Sequence, residues 1–158
     1  MNKEQLGDLI LQSENHMYRI AKSLLKNDTD CEDAIQETIV HAFSKIHTLK
    51  NDLFAKTWLT RILINECYNI MRREKRLISI EEITEQHADE QTDYSDLYTA
   101  VQQLPEDMRL AVMLYYSEGY SIKEIACIED TTVPTIKNRL FKARKRLRKA
   151  LSEEEEAI

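Results

Sequence analysis

The chain is predicted to be all-α, with two small helical domains joined by a flexible acidic linker and a helix-turn-helix in the C-terminal one. Three observations carry this expectation. Apolar residues recur every three or four positions almost throughout, which is the repeat of a helix face. Only two glycines and two prolines occur in 158 residues, too few for the many tight turns of an all-β fold. Charge is segregated along the chain. Residues 56–76 carry six Lys or Arg against two Glu, a net of +4; residues 79–107 carry nine acids and no Lys or Arg, a net of −9; residues 131–152 carry eight cations and no acid. The formal net charge of −6 therefore says little about partners, because screening over about 8–10 Å at physiological salt lets each patch act locally.

Taken in order, Leu6, Leu9, Ile10, Met17, Ile20, Ala21 and Leu24 mark one long first helix. Asn27 to Asp30 break it, and Asp30 is the candidate N-cap of a second helix over Cys31 to Ile46. Asp33, Gln36 and Glu37 cluster near its start, where acids are favoured by the helix dipole alone. The third helix is expected over roughly Leu53 to Arg76, capped by Asn51 or Asp52, with two distinct faces. Leu59, Leu63, Cys67 and Ile70 form a core stripe. Trp58, Arg61, Asn65, Tyr68 and Arg72 recur at spacings of 3, 4, 3 and 4 on another face. Aromatics interleaved with Arg and Asn suit single-stranded nucleic acid, because rings stack on unpaired bases while cations follow the backbone. Trp58 equally fits a core position and Arg61 a solvated one. Residues from about Leu77 to Thr92 combine charge, Gln and Thr with few apolar side chains and read as a linker, in which Ile78, Ile80 and Ile83 stand out as a short docked segment. The expected division is thus 1–76, a linker over 77–93, a second domain over 94–152 and an acidic tail over 153–158.

The second domain holds the most informative stretch, Gly119 to Leu151. Gly119 is placed to end one helix, Ser121 and Glu124 fit a capping box, and Ile122, Ile125 and Ala126 would pack inward. Asp130, Thr131 and Thr132 supply turn and N-cap chemistry, and Pro134 is tolerated only in the first turn of the helix that follows. In that helix Ile136, Leu140, Ala143, Leu147 and Leu151 make one apolar stripe, and Phe141 falls off it among Lys137, Asn138 and Lys145. A helix-turn-helix places its second helix in the major groove. Thr135, Lys137, Asn138, Phe141 and Lys142 would face base edges, while Arg139, Arg144, Lys145 and Arg148 would hold phosphates. The competing reading is a solvated charged face that binds nothing specific.

Several function classes are excluded. No apolar run is long enough to span a membrane and no signal-peptide pattern opens the chain, so a cytoplasmic protein is expected. Cys31, Cys67 and Cys127 are odd in number and widely spaced, and His16, His41, His47 and His87 add no metal-like cluster, so neither a disulfide framework nor a zinc site is expected. No phosphate-cradling glycine loop or nucleophile-base arrangement appears, so no enzyme activity and no cofactor are expected.

Four blocks carry a family resemblance: DAIQET at 33–38, FAKTWLTRILIN at 54–65, LPEDMRLAVML at 104–114, and SIKEIA at 121–126 followed by TIKNRLFKARKRL at 135–147. In this order, and with an acidic linker between the second and third, they resemble a bacterial sigma factor of the extracytoplasmic-function group of the sigma-70 family, over nearly the whole chain. The resemblance implies that residues 1–76 bind core RNA polymerase and the minus-10 element and that residues 94–152 bind the minus-35 element. It implies that Asp33, Gln36 and Glu37 dock on the clamp helices of the largest polymerase subunit. It assigns minus-10 contacts to the helix from Lys56 to Arg72, including Trp58, Arg61, Asn65 and Tyr68, with Asn65 foremost, and to the loop His47 to Leu53 before it. Minus-35 contacts fall to Lys137, Asn138, Phe141 and Lys142, backbone contacts to Arg139 and Arg144, and an anti-sigma factor is an implied partner. The family often has Leu-Gly where this chain has Glu129 and Asp130, and a small Gly where it has Pro134, so the geometry of the turn is open. A stand-alone helix-turn-helix regulator, which would bind a duplex operator without polymerase, and a helical protein-interaction module are the alternative functions.

Overall fold

The computed structural model describes residues 1–80 and 96–156, with side chains for 1–77 and 96–152. Eight α-helices succeed one another and no strand occurs among the described residues: α1 Lys3–Gln12, α2 Glu14–Leu24, α3 Asp28–Ser44, α4 Ala55–Ile80, α5 Asp96–Gln102, α6 Glu106–Val112, α7 Ile122–Ile128 and α8 Val133–Glu156. The all-α expectation holds.

In the first domain the expected single long helix is two. Asn2 opens α1 with a complete capping box to Gln5, and the helix stops at Ser13, whose N–H bonds to the Ile10 carbonyl while its own carbonyl accepts from Met17. One residue turns the chain without disturbing the apolar repeat, so Leu6, Ile10, Met17 and Ile20 all remain buried. The cap of α3 also moves: Asn27, in extended backbone, accepts from the Asp30 N–H, which makes Asp30 the third residue of the helix rather than its cap. The helix ends at Ser44, and a 3-10 turn over Ile46–Thr48 follows. Asn51 caps a second 3-10 turn, Asp52–Phe54, by accepting from the Leu53 N–H, and α4 continues from it. The predicted core stripe of α4, Leu59, Leu63, Cys67 and Ile70, is buried as expected and packs chiefly against α3. The helix runs to Ile80, past the expected linker start at residue 77. The docked segment expected for Ile78, Ile80 and Ile83 lies outside the described side chains, as does most of the acidic linker.

In the second domain α6 runs into a single π-helical turn, Met113–Ser117, closed by the bonds from the Glu118 N–H to the Met113 carbonyl and the Tyr120 N–H to the Leu114 carbonyl. Gly119, with φ of 75°, supplies the left-handed residue that this closure requires. The Ser121–Glu124 capping box then starts α7, with both of its hydrogen bonds formed. Ile125 and Ala126 are buried, and Ile122 is half-buried.

The turn before α8, where this chain departs from the family pattern, is closed by the same device with a different residue. The Thr131 N–H bonds to the Ala126 carbonyl, and Asp130 takes the left-handed position at φ 55°. Asp is among the few residues besides Gly that visit this region. Thr132 Oγ1 accepts from the Thr135 N–H, so Pro134 falls in the first turn of α8, where its missing N–H costs nothing. Ile136, Leu140 and Ala143 are fully buried against α6 and α7. α8 continues to Glu156, so the first four residues of the expected acidic tail are helical. All three cysteines are free thiols. Burial pushes the thiols of Cys31 and Cys67 up to about 11 and about 12, which suits packing rather than chemistry, and Cys127 is exposed.

The two domains share one continuous apolar cluster. α4 packs on α7 and α2 on α6, and Arg109 of α6 donates from Nε to the Ser23 carbonyl at 2.5 Å, in the last turn of α2. A cation there complements the negative end of the helix dipole.

Candidate nucleic-acid interface

The anchoring of α8 decides which of its residues reach solvent. With Ile136, Leu140 and Ala143 turned inward, Lys137, Asn138, Phe141, Lys142 and Lys145 are exposed. Phe141 leaves 61% of its surface in water, which no packing requirement explains. Two of the expected phosphate contacts are engaged within the chain. Arg139 lies 3.6 Å from Asp107 and 3.4 Å from Glu129, and its side chain is three-quarters covered. Arg144 donates from Nε to the Tyr116 hydroxyl at 2.7 Å and lies over the rings of Tyr115 and Tyr116. Thr135 is half-buried and shares a hydroxyl bond with Thr132 at 2.7 Å. Lys145 and Arg148 remain exposed.

Glu129 sits directly under this helix. Its carboxyl is 5% exposed and pushed up to about 7 by burial, against the pull of Arg139. The Arg139 contact is long and leaves Oε2 without a hydrogen bond, so it only partly offsets the loss of water.

On α4 the predicted second face is divided. Asn65 and Arg72 are exposed, and Arg72 donates from Nη2 to Asn69 Oδ1. Trp58 is half-buried and its indole N–H reaches Thr48 Oγ1 at 3.3 Å, so it bridges the core and the loop before the helix. Leu53 and Phe54 in that loop are largely exposed. Lys56, Arg61 and Tyr68 face the second domain: Lys56 Nζ lies 5.8 Å from the Tyr120 ring centre, Arg61 lies 3.8 Å from Asp130, and Tyr68 is half-buried beside Glu106. The Tyr68 hydroxyl is pushed well above its usual range, first by burial and then by Glu129 and Glu106.

On α3 the geometry brings Asp33, Gln36 and Glu37 to one exposed face, while Ala34 and Thr38 turn inward. Beside them the structure makes a grouping that local sequence patterns do not announce. Glu37, His41 and Glu66 place one ligand atom each within 4.8 Å of one another. His41 Nδ1 pairs with the buried Glu66 at 2.5 Å, and the cleft of about 420 Å³ alongside is lined by Arg72, Arg73 and Arg76 together with Glu37, Glu66 and Asn69. The i, i+4 spacing of Glu37 and His41 is legible in the chain, but their partner on α4 is not.

A second unexpected cluster lies where the domains meet: His16, Arg19, Thr60, Glu118 and Tyr120, drawn from positions up to 104 residues apart. No local signal in the sequence could have joined them.

The fold and this surface define a class, a two-domain helical protein whose second domain presents a cationic helix-turn-helix. The family model described as Sigma-70 region 2 matches residues 9–77, and Sigma-70, region 4 matches residues 94–147. The chain is 30% identical to the RNA polymerase sigma factor SigV of Bacillus subtilis (strain 168), with 97% of this chain and 95% of that one covered. The crystallised sigma factor RpoE from Bartonella quintana, in complex with the anti-sigma factor NepR, is 27% identical, covers 94% of this chain and 98% of its own, and matches with a TM-score of 0.78. CnrH in complex with the cytosolic domain of CnrY shares the fold at a TM-score of 0.71 and 21% identity, over 96% of this chain and 90% of that one. The chain belongs to the sigma-70 family, in its extracytoplasmic-function group, and is an RNA polymerase sigma factor. Among the described residues, no helix is long and apolar enough to cross a membrane.

Proposed function

We propose that the chain directs core RNA polymerase to promoters by reading two elements, without catalysing any step itself. Residues 1–76 hold the polymerase and the minus-10 strand, residues 94–152 read the minus-35 duplex, and the segment between spans the gap. The observation that carries this reading is the outward face of α8, where Lys137, Asn138, Phe141 and Lys142 stand clear of the core on a helix rigidly anchored by Ile136 and Leu140. Such a face supports base-edge readout in a major groove. Lys145 and Arg148 supply phosphate contacts; Arg139 and Arg144 join them by exchanging their internal partners for phosphates, and Thr135 follows at the helix start.

Asp33, Gln36 and Glu37 form the polymerase-docking face on α3. Lys56, Trp58, Arg61, Asn65, Tyr68 and Arg72 form the minus-10 face on α4, with Asn65 as the exposed amide best placed to hydrogen-bond an unpaired base. Base capture needs no nucleotide hydrolysis, because unstacking costs only a few kcal/mol per step and stacking returns about 1–3 kcal/mol per base. An anti-sigma factor is the expected further partner, as in the relative crystallised with the anti-sigma factor NepR.

Run-off transcription with purified core polymerase tests the reading. Added chain should give start-site-selective transcripts, and replacing Asp33, Gln36 and Glu37 together by Ala should remove polymerase binding with helicity unchanged. Polymerase capture that survives the triple replacement would overturn the docking assignment.

A further inference from the structure

Promoter reading makes no use of the grouping of Glu37, His41 and Glu66, and its residue types are those that hold a metal ion. Glu37 and His41 stand one turn apart on α3, and Glu66 comes from α4, the helix that packs against it. One imidazole and two carboxylates thus meet across two helices, with a ligand atom of each within 4.8 Å of the others. Glu66 is the least expected of the three. It lies beside Leu63, Cys67 and Ile70 in the buried stripe of α4 and is itself only 8% exposed, where packing alone would favour an apolar side chain. A carboxylate at that depth is either paired with a cation or coordinates one.

His41 Nδ1 lies 2.5 Å from Glu66 Oε1, and an ion entering between them takes the place of the proton that otherwise joins them, which passes to solvent. The way in is open, because Glu37 and Glu66 both line the cleft of about 420 Å³. A tetrahedral zinc ion with bonds of about 2.0–2.2 Å spaces its ligand atoms about 3.3 Å apart. Glu37 is exposed and ends a flexible side chain, so a change of rotamer closes what remains of the distance. The donor set selects the class of ion. Imidazole suits zinc and its first-row neighbours, whereas magnesium and calcium take shells of oxygen. Three protein ligands leave one position, on the cleft side, for water. Arg72, Arg73 and Arg76 line the same cleft and oppose a cation there. These arginines are exposed and screened by water and salt, while Glu66 is out of water, so the attraction outweighs the repulsion.

We propose that Glu37, His41 and Glu66 form a binding site for a divalent transition-metal ion of the zinc class, which ties α3 to α4. The site departs from the expectation, drawn from spacing along the chain, that the histidines join no metal-like cluster. Glu37 and His41 supply only two ligands by themselves, and the third arrives on another helix. The site stands on this geometry alone, while its consequence rests on the assignment of Glu37 to polymerase docking. A bound ion withdraws Glu37 from the face it shares with Asp33 and Gln36, so metal and polymerase compete for one carboxylate.

Equilibrium dialysis of the tag-free full chain against zinc tests the site, with His41→Gln and Glu66→Gln beside the parent. The parent should retain one equivalent, and each variant should bind at least tenfold more weakly. Zinc should raise the melting temperature of the parent and leave those of both variants unmoved, because an ion that binds only the folded chain stabilises it. Cobalt in place of zinc should show visible ligand-field bands without the charge-transfer band of a thiolate, which separates this site from the exposed Cys127. The His41 side chain is 38% exposed, so its replacement spares the core, and if Glu66→Gln loses helicity by circular dichroism, His41→Gln decides alone. No zinc retained would leave a plain His41–Glu66 ion pair and overturn the proposal. Retention undiminished in both variants, or a thiolate band, would overturn it by placing the ion elsewhere. Zinc should also weaken capture of core polymerase by the parent and not by His41→Gln. Zinc bound with capture unchanged would uphold the site and overturn the competition, and the triple replacement of Asp33, Gln36 and Glu37 then tells whether the docking assignment falls with it.

Discussion

The two proposed DNA faces are built on helices of similar length and opposite circumstance. α8 keeps Lys137, Asn138, Phe141 and Lys142 in water, whereas α4 turns Lys56, Arg61 and Tyr68 toward the other domain, with Arg72 lining the same cleft as Glu106, and leaves Asn65 exposed. The difference follows from what lies behind each helix. α8 is anchored along one stripe by α5, α6 and α7, and its other side is solvated, while α4 is sandwiched, with α3 on one side and α7 on another. A charged helix thus advertises its partner only where a single side of it is used for packing.

The comparison is broken most severely by removing the anchor. Leu140→Ala in the centre of the stripe should cost about 2–5 kcal/mol, enough to unfold the second domain in much of the population, and chemical denaturation would measure it. A loss under about 1 kcal/mol would mean that α8 is not positioned by this stripe. A gentler change keeps the fold and separates the faces. Lys137→Ala with Asn138→Ala should weaken minus-35 duplex binding by about 1–3 kcal/mol for each base that is no longer read, whereas Asn65→Ala should leave duplex binding unaltered. Equal weakening from the two helices would erase the distinction.

Smaller still is the effect of one phosphate contact. Arg148→Gln should lower affinity across all sequences and reduce the slope of log K against log salt by about one unit. A sequence-dependent weakening with no change of slope would move Arg148 from backbone to bases.

The last expected effect concerns Glu129 and is read on stability, not on binding. Its folded carboxyl titrates at about 7, above the ordinary value of 4.5, so between these pH values the folded chain holds a proton that the unfolded chain releases. Stability of the second domain should therefore fall as pH rises from 4.5 to about 7, and Glu129→Gln should flatten that dependence in denaturation curves taken at intervals across the range. An unchanged slope would place the buried proton elsewhere.

What the sequence disclosed and what it hid divide by distance along the chain. The Ser121–Glu124 box, the position of Pro134 and the exposure of Phe141 each depend on residues within one or two turns, and all three appear as expected. The break at Ser13 is hidden because it interrupts the backbone and leaves the apolar spacing intact. Asn27 escapes notice as a cap because Asp30, equally suited by residue type, lies three positions on, and only the backbone angles separate them. The turn at Asp130 is unsettled from sequence because its left-handed backbone is usually glycine's. The candidate site is legible on α3 and α8 as faces. The internal partners of Arg139 and Arg144, and the covering of half of α4, are tertiary and leave no trace in local pattern.

The pairing of His16 and Thr60 with Glu118 and Tyr120 also bears on any hybrid assembled from this chain and a relative. A graft that imports a foreign second half strands an imidazole and a threonine hydroxyl at the seam unless the incoming sequence brings its own carboxylate and phenol to the matching places. Compatible donors should be picked by that quartet of side chains, ahead of resemblance over the whole length.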